Sequence, residues 1–457
     1  MVKIFRGAVS KVRNSYWLSS ASYTFLNKVS TTLFAFVNFY ILIRILSKPD
    51  FGAWVLFFTV ASFMEMIKHG FVRNPMIRFL TIAGADDDPK IQTASLYLNA
   101  IIGLLEVGLL VLCAMFLGDF WNSPQLESLF LIYIIATVAL IPINHFDIVQ
   151  QARLHFKGTF YSNLVRQGGL FIYILVIFIL DYKIELVSLA YAQSAAIIVS
   201  GFASYHFAKK HIQLSPKLDK HWSKELFHYG KYTFGTNVSS TILKSVDSWM
   251  LGKLLSPAAV AVFNPAIRVS NLVEVPTDTL TSILFPQLSK RIGVEGMSSA
   301  KWLYEKAVGT LTAIMLPVVV LVIIFSSEVI YFIAGPGYEE TVPILRVTML
   351  FGLIIPFNRL MGITLDAIGK ARTNFMYVLR NALINIVSNF FYISYFGTIG
   401  AAYGTLTTYL IALVYNQYYL HHNVNIRVTG IVRHFFDFYA KIFLLVIKFT
   451  KRAFSRR

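Results

Sequence analysis

The chain has 457 residues, of which 56% are hydrophobic and only 14% are charged, and its formal net charge is +18. This composition excludes an ordinary soluble globular protein. It also disfavours a nucleic-acid partner, because the basic residues are scattered over short segments between apolar runs and do not form one patch.

Apolar runs of about 20 residues recur along the chain, and each is long enough to cross a hydrocarbon core of about 30 Å as a helix. The runs are continuous and do not alternate with period two, which favours helices over a β-barrel. The predicted fold class is an all-α polytopic membrane protein with about twelve transmembrane helices. They are placed at 16–45, 51–72, 94–117, 127–149, 160–181, 185–208, 229–254, 258–285, 303–325, 341–366, 373–396 and 399–421.

The second half of the chain echoes the first at an offset of 209 residues, which aligns Glu65 with Glu274 and Asn38 with Asp247. Six spans in each half predict two parallel-repeat lobes of six helices around a central cavity. The predicted domains are an N-terminal lobe at 1–208, a cytoplasmic linker at 209–228, a C-terminal lobe at 229–422 and a basic amphipathic C-terminal helix at 423–457.

The charge of the connecting segments predicts the orientation of the chain. Basic residues fill the start of the chain, the central segment from Lys209 to Lys231 and the connection after Lys290, whereas the opposite connections carry few. The positive-inside rule then places both termini in the cytoplasm. The basic C-terminal helix is expected to lie in the interface beside anionic lipid headgroups, with a thirteenth span as the alternative.

Charged residues recur inside predicted spans, where each costs about 2.5–3.5 kcal/mol near the bilayer centre. They cannot face lipid, so they line a water-filled cavity or pair with one another as structural ion pairs between helices. The residues predicted to bind substrate are Lys28, Glu65, Lys244, Arg268, Asn271, Glu274 and Asp278.

No catalytic site, metal site or cofactor is predicted. Asp86-Asp87-Asp88 resembles a sugar-nucleotide motif but lies in a short polar turn, which favours a solvated loop. The pair His421-His422 lacks a third metal ligand nearby, and the lone Cys113 excludes an internal disulfide.

Two motifs resemble those of a known family. The run Asp247-Ser-Trp-Met-Leu-Gly-Lys-Leu-Leu-Ser ends the seventh span, and Phe285-Pro-Gln-Leu-Ser ends the eighth. With twelve spans in two lobes, they resemble the bacterial O-antigen type polysaccharide flippases. This family belongs to a superfamily that also contains multidrug exporters and the lipid II flippase.

The resemblance implies a non-enzymatic flippase of the bacterial inner membrane, acting as a monomer by alternating access. Its substrate would be an undecaprenyl-diphosphate-linked oligosaccharide for surface polysaccharide such as the O-antigen of lipopolysaccharide. The residues suit this substrate independently, because Lys28, Lys244 and Arg268 can bind phosphate in a cavity of low dielectric.

Likeness to the lipid II flippase also implies coupling to sodium or protons, with a cation site at Asp247, Asn381, Asn385 and Thr405. That flippase's second acidic ligand has no obvious counterpart here, because the eleventh span contains no Asp or Glu. The alternative is that Asp247 pairs with Lys244, three residues earlier on the same helix face.

Two other functions fit the sequence less well. A cation-coupled multidrug-type exporter of the same fold is disfavoured because the first span has no Asp or Glu and the cavity carries cations. A membrane glycan polymerase or transferase is the remote alternative, because no connection exceeds about 25 residues and none holds an acid–base pair.

Overall fold

The computed structural model describes residues 16–82, 84, 86–153, 155–295 and 297–454. Within these ranges every regular element is helical, which confirms the all-α fold class. The first half contains α1 (Tyr16–Ile45), α2 (Lys48–Lys68), a π-helical turn (His69–Arg73), α3 (Asn74–Ile82), α4 (Asp88–Phe120), α5 (Gln125–Ala152), α6 (Phe156–Ile179) and α7 (Leu186–Ala208).

The second half follows with one very long helix and a series of shorter ones. Its helices are α8 (Lys220–Leu254), α9 (Pro257–Glu295), α10 (Met297–Ile324), α11 (Ser326–Ala334), α12 (Thr341–Gly352), α13 (Ile355–Ala367), α14 (Ala371–Phe396), α15 (Thr398–Val424) and α16 (Val428–Phe454).

Ten helical segments of the described chain are long and apolar enough to cross a membrane, and each overlaps one of the twelve predicted spans. The other two predictions, 229–254 and 373–396, lie in α8 and α14. These helices have 35 and 26 residues, which is sufficient length, but they are more polar. Their polar residues include Asp247, Asn385 and Asn389, whose side chains meet inside the protein.

The chain divides into two compact units. One contains the residues up to Thr241 together with Ser256–Ala258, and the other contains Ile242–Leu255 and the residues from Ala259 onward. The division falls inside α8, so residues 220–228 of the predicted linker form the start of a helix and are not a loop.

Helix boundaries repeat with the offset found in the sequence. α1 and α8 end 209 residues apart, at Ile45 and Leu254, and α2 and α9 begin 209 residues apart, at Lys48 and Pro257. Within the first unit the starts of α2 and α9 touch, because a Cβ atom on Gly52 would overlap the Pro257 carbonyl. Glycine is therefore required at position 52 for this close backbone approach.

In the first unit α5 packs against α4 and α7, and α6 packs against α1 and α7. Aromatic and leucine side chains such as Phe57, Leu129 and Phe130 fill its interior. The outer side of α4 exposes Leu104 and Met115, which is the pattern expected of a helix face that contacts lipid.

The segment between α7 and α8 is attached to the start of α4. The Gln92 side chain donates to the backbone carbonyl of His211 (3.1 Å) and accepts from the backbone N–H of Gln213 (3.0 Å). The Thr93 hydroxyl accepts from the backbone N–H of Ser215 (2.8 Å). The residues before α8 are thus held by two side chains of the first unit.

In the second unit α16 packs along α10. The Tyr439 hydroxyl donates to the Ala313 carbonyl (2.7 Å), and the buried Glu305 accepts from the Arg427 amide just before α16 begins (2.8 Å). A carboxylate at a helix N-terminus satisfies a backbone N–H that has no partner within the helix.

Candidate functional site

The first unit contains a partly open cavity of about 230 Å³. Its walls come from α1, α2, the π-helical turn, α4, α5 and α6. Charged and amide side chains dominate this lining, with the aromatic side chains Tyr23 and Phe156 on two of the walls. A polar cavity within a helical membrane protein is a candidate binding site.

Oppositely charged groups around the cavity are paired. Arg166 on α6 lies 2.5 Å from Glu65 on α2, and the Tyr133 hydroxyl donates to the same carboxylate (2.9 Å). Lys68 on α2 lies 2.5 Å from Glu106 on α4, and both side chains are only 2% exposed. Each pair lets a charge remain away from water, because its desolvation is offset by the partner.

Two further charged residues of the lining have neutral hydrogen-bond partners. Arg73 donates twice to the side-chain oxygen of Gln151, at 2.7 and 3.2 Å, and Asp147 accepts from the Ser204 hydroxyl at 2.6 Å. These contacts tie the π-helical turn and α7 to α5.

Of the residues predicted to bind substrate, Glu65 belongs to this lining. Polar stripes on the first two helices also indicated Tyr23, Thr24, Asn27 and Arg73, and the rest of the lining was missed. Lys28, also predicted, is exposed and is not part of the lining. A signal for the missed residues was present, because Asn144, Asp147 and Gln151 recur at spacings of three and four and so share one face of α5. The lining residue Lys68 likewise follows Glu65 by three.

The second unit contains a buried carboxylate in a neutral cluster. Asp247 on α8 accepts from the Asn389 amide on α14 (2.5 Å) and from the Thr405 hydroxyl on α15 (2.9 Å). Asn385, one turn before Asn389, donates to the Thr405 oxygen (3.1 Å). Three of the four residues predicted for cation coupling therefore meet.

The fourth predicted residue, Asn381, lies elsewhere, because its side-chain oxygen accepts from Arg380 (3.0 Å). Asn389 takes its place in the cluster and could have been predicted, since residues 381, 385 and 389 recur every four positions on one face of α14. Asn389 fits against α15 only because residue 404 is glycine: a Cβ atom there would overlap the Asn389 side chain.

Chemically, the cluster combines one carboxylate with amide and hydroxyl oxygens, which are the ligands that hard cations prefer. The Oδ1 atom of Asn389 is buried and has no hydrogen-bond partner. Turning this amide over would add its oxygen to those around Asp247. Among the described residues, no group of three or more His, Cys, Asp and Glu side chains could hold a metal ion.

The alternative pairing of Asp247 with Lys244 is not present in the structure. Lys244 is exposed, and no ion pair joins these two described side chains. On α9, Arg268 and Asn271 are exposed and Glu274 is half-buried. The side chain of Asp278, the last predicted substrate-binding residue, lies outside the described part.

Residues 41–343 match a protein family described as polysaccharide biosynthesis protein. The chain belongs to this family.

Two curated archaeal proteins are similar to the chain. An uncharacterized membrane protein of Methanocaldococcus jannaschii is 26% identical over 216 residues, which cover 47% of this chain and 42% of that protein. The probable low-salt glycan biosynthesis flippase Agl15 of Haloferax volcanii is 20% identical over 205 residues, which cover 45% and 43%. The matched segment thus spans less than half of either relative.

Solved structures share the fold over nearly the whole chain. An inward closed conformation of the lipid II flippase MurJ gives a TM-score of 0.75 at 15% identity, covering 94% of this chain and 93% of that one. An inward-facing MATE family multidrug transporter of the MOP superfamily gives 0.75 at 16% identity, covering 86% and 94%. The chain is therefore a multi-pass membrane protein with a MurJ- and MATE-like fold. The prediction that it is not an enzyme is confirmed.

Proposed function

We propose that this protein is a flippase that moves a lipid-linked oligosaccharide across the cytoplasmic membrane for polysaccharide biosynthesis, by alternating access between its two lobes. The observation that carries the proposal is a fold shared with the lipid II flippase over 94% of the chain, in a member of a polysaccharide biosynthesis family. The relative from Haloferax, named as a probable glycan biosynthesis flippase, supports the same class of cargo.

The proposed cargo carries a diphosphate between lipid and glycan, for which we infer undecaprenyl as the lipid and a surface polysaccharide of the O-antigen type as the product. Exposed cations on helices suit the diphosphate: Lys28 on α1, Lys244 on α8 and Arg268 on α9. Arginine binds phosphate through two parallel hydrogen bonds. Asn271, Glu274 and Asp278 follow Arg268 on α9 and are proposed to bind sugar hydroxyls.

We propose that a monovalent cation bound at Asp247, Asn385, Asn389 and Thr405 couples transport to a gradient, with Asn381 one turn away. The buried carboxylate supports this role, because an unpaired charge at membrane depth is costly and gains most from a bound cation. Sodium fits the oxygen ligands, and a proton is the alternative ion.

The charge pattern supports cytoplasmic termini. A reporter that is active only outside the cytoplasm should be active after Lys183 or Gly337 and silent at Leu214. Activity at Leu214 would contradict this orientation.

The experiment that tests the cargo uses the purified chain in proteoliposomes with a fluorescent undecaprenyl-diphosphate oligosaccharide. An impermeant reductant bleaches the outer-leaflet label, so flipping is the fraction lost beyond that of empty vesicles. The wild type should flip this lipid, whereas Arg268→Ala should reduce the rate at least tenfold and Arg268→Lys should restore it only in part, because lysine lacks the planar fork.

Arg427→Ala is the matched control, since Arg427 is an exposed arginine of the same unit before α16, and it should flip at the wild-type rate. Absence of flipping by the wild type, together with gradient-driven uptake of a cationic dye, would contradict the proposal in favour of the multidrug-type exporter.

A further inference from the structure

We propose that the cavity of the first unit is a binding site for a single sugar ring, separate from the cations proposed to bind the diphosphate. The inference rests on the proposed function, since it assigns this site to one sugar of the cargo. It is carried by the chemistry of the groups in the lining that remain without partners.

The charged groups around the cavity are already engaged. Glu65 is paired with Arg166, Lys68 with Glu106, and Asp147 accepts from Ser204. A diphosphate at Lys68 or Arg166 would need to displace a carboxylate at 2.5 Å and would leave that carboxylate without its partner. Arg73 is held by the neutral Gln151, but a diphosphate there would share the cavity with the carboxylates of Glu65 and Asp147, which repel it. An organic cation at Asp147 would likewise share the cavity with Arg73, Arg166 and Lys68, so both kinds of charged ligand are disfavoured.

The groups that remain free are neutral. Asn27, Asn144 and Asn163 line the cavity, and none of their side-chain amides forms a hydrogen bond with another described residue. Thr159 lines it as well, and its hydroxyl is buried and unpartnered. Amides and hydroxyls both donate and accept, so they match a ligand whose own groups do both, which is the property of sugar hydroxyls.

Shape and aromatic content point the same way. A volume of 230 Å³ lies below the range of about 300–1,000 Å³ typical of sites for drug-sized ligands, so the cavity holds one ring and not an oligosaccharide. Tyr23 and Phe156 supply flat apolar surface for the C–H face of a ring, and Tyr23 is itself supported by Phe160 at 5.8 Å. The rival content is water, for which a polar cavity of this volume has ample room.

The test measures sugar binding directly and does not depend on transport. The purified full chain in lipid nanodiscs is titrated with the methyl glycosides of glucose, mannose and galactose, and binding is followed by saturation-transfer NMR. At least one glycoside should give a saturable signal. The Thr159→Val, Asn163→Leu double variant should bind it about tenfold or more weakly, since each lost neutral hydrogen bond contributes about 0.5–1.5 kcal/mol.

Two controls accompany the double variant. Thr32→Val makes the same change at an exposed position of α1 outside the lining and should bind as the wild type does. Asn163→Ala removes one amide without adding bulk, so it tests the same contact should the double variant fail to fold, and it should weaken binding about threefold.

The two ideas can fail separately. No glycoside signal with the wild type, or equal binding by wild type and folded cavity variants, overturns the sugar site and leaves a water-filled cavity. Failure of the wild type to flip the lipid-linked oligosaccharide overturns the proposed function, whatever the glycosides do. Weakened binding in the cavity variants but not in Thr32→Val supports the sugar site.

Discussion

The two units hold their buried carboxylates in different ways. In the first unit Glu65 and Glu106 each lie 2.5 Å from a basic side chain. In the second unit Asp247 is buried, as Glu106 is, whereas Glu65 is half-buried. The partners of Asp247 are the neutral side chains of Asn389 and Thr405. Asp147 of the first unit also has a neutral partner, Ser204, but it shares its cavity with the cations Arg73 and Arg166, whereas no basic side chain of the described residues pairs with Asp247.

This difference predicts different roles for the two kinds of carboxylate. A carboxylate beside a permanent cation is already compensated, so it holds helices together and has little to gain from an ion. A carboxylate among amides and hydroxyls keeps an uncompensated charge that a cation from solution can neutralise. We therefore expect the pairs of the first unit to matter for stability and the cluster of the second to matter for ion dependence.

The largest expected effect concerns the pair Lys68–Glu106. Glu106→Leu leaves a buried ammonium without a partner and should lower the free energy of unfolding by about 3–5 kcal/mol. The double variant with Lys68→Met should recover most of this loss, because two apolar side chains of similar volume replace the pair. Unfolding in mixed micelles with increasing SDS measures both.

The matched comparison is Asp247→Asn in the second unit, which removes a charge without stranding a partner and should leave stability in low salt nearly unchanged. If Glu106→Leu lowers the free energy of unfolding by less than about 1 kcal/mol, the Lys68–Glu106 pair does not stabilise the first unit, and the proposed contrast between the units is wrong.

The next effect is ion-specific. Sodium binding at Asp247 should stabilise the wild type by about 2.7 kcal/mol when its concentration is 100 times the dissociation constant. Measured in the same micelles, sodium chloride should stabilise the protein more than choline chloride at equal ionic strength, and Asp247→Asn should abolish the difference.

Asp366→Asn serves as the control, because Asp366 is an exposed carboxylate of the same unit that also accepts from an amide, that of Asn374 (3.1 Å). It should keep the sodium response. A full sodium response in Asp247→Asn would place the ion elsewhere. If the wild type shows none, the proton is the remaining candidate, and gradient-driven flipping in Asp247→Asn should then lose its dependence on an imposed pH difference.

The fold class and ten spans could be predicted from the sequence because the length and continuity of apolar runs are local properties. The cluster around Asp247 was largely predictable for a related reason, since isolated polar residues at helical spacing stand out in apolar helices. Asn389 was missed although it extends the spacing of Asn381 and Asn385 by four.

The ion pairs of the first unit could not be predicted in this way. Glu65 and Arg166 are separated by 101 positions, and only the packing of α6 near α2 brings them together. A sequence places a charge on a helix face, but whether that charge meets an opposite charge or a neutral amide depends on which helix lies opposite. The helix that lies opposite therefore determines whether a carboxylate forms an ion pair or stays among neutral groups.

The smallest expected effect concerns His211 at the edge of the first unit. It tests whether a basic group in this unit needs an acidic partner. Arg153 forms an ion pair with Asp88, and the His211 ring stacks on that of His155 at 4.7 Å. Partial burial, and then the nearby basic side chains of His155, Arg153 and Lys210, lower the pKa of His211.

The pKa of His211 is lower when segment 209–219 is bound to Gln92 and Thr93 than when the segment is unfolded. Neutral His211 therefore stabilises the bound segment. This stabilisation is lost as the pH falls below about 6.5, the unperturbed pKa of histidine. Protonation would add a positive charge beside Arg153 that no carboxylate compensates. The segment 209–219 should therefore detach from Gln92 and Thr93 more often in acid.

Hydrogen exchange of this segment, read by mass spectrometry, tests this. At each pH the protection of the wild type is divided by that of His211→Gln, and this ratio should be lower at pH 5.5 than at pH 7.5. That ratio cancels the intrinsic pH dependence of exchange. His206→Gln, an exposed histidine at the end of α7, should behave as the wild type does. Equal protection of wild type and His211→Gln at both pH values would show that an extra charge is tolerated here, and the rule of paired charges would then hold only for the buried part of the unit.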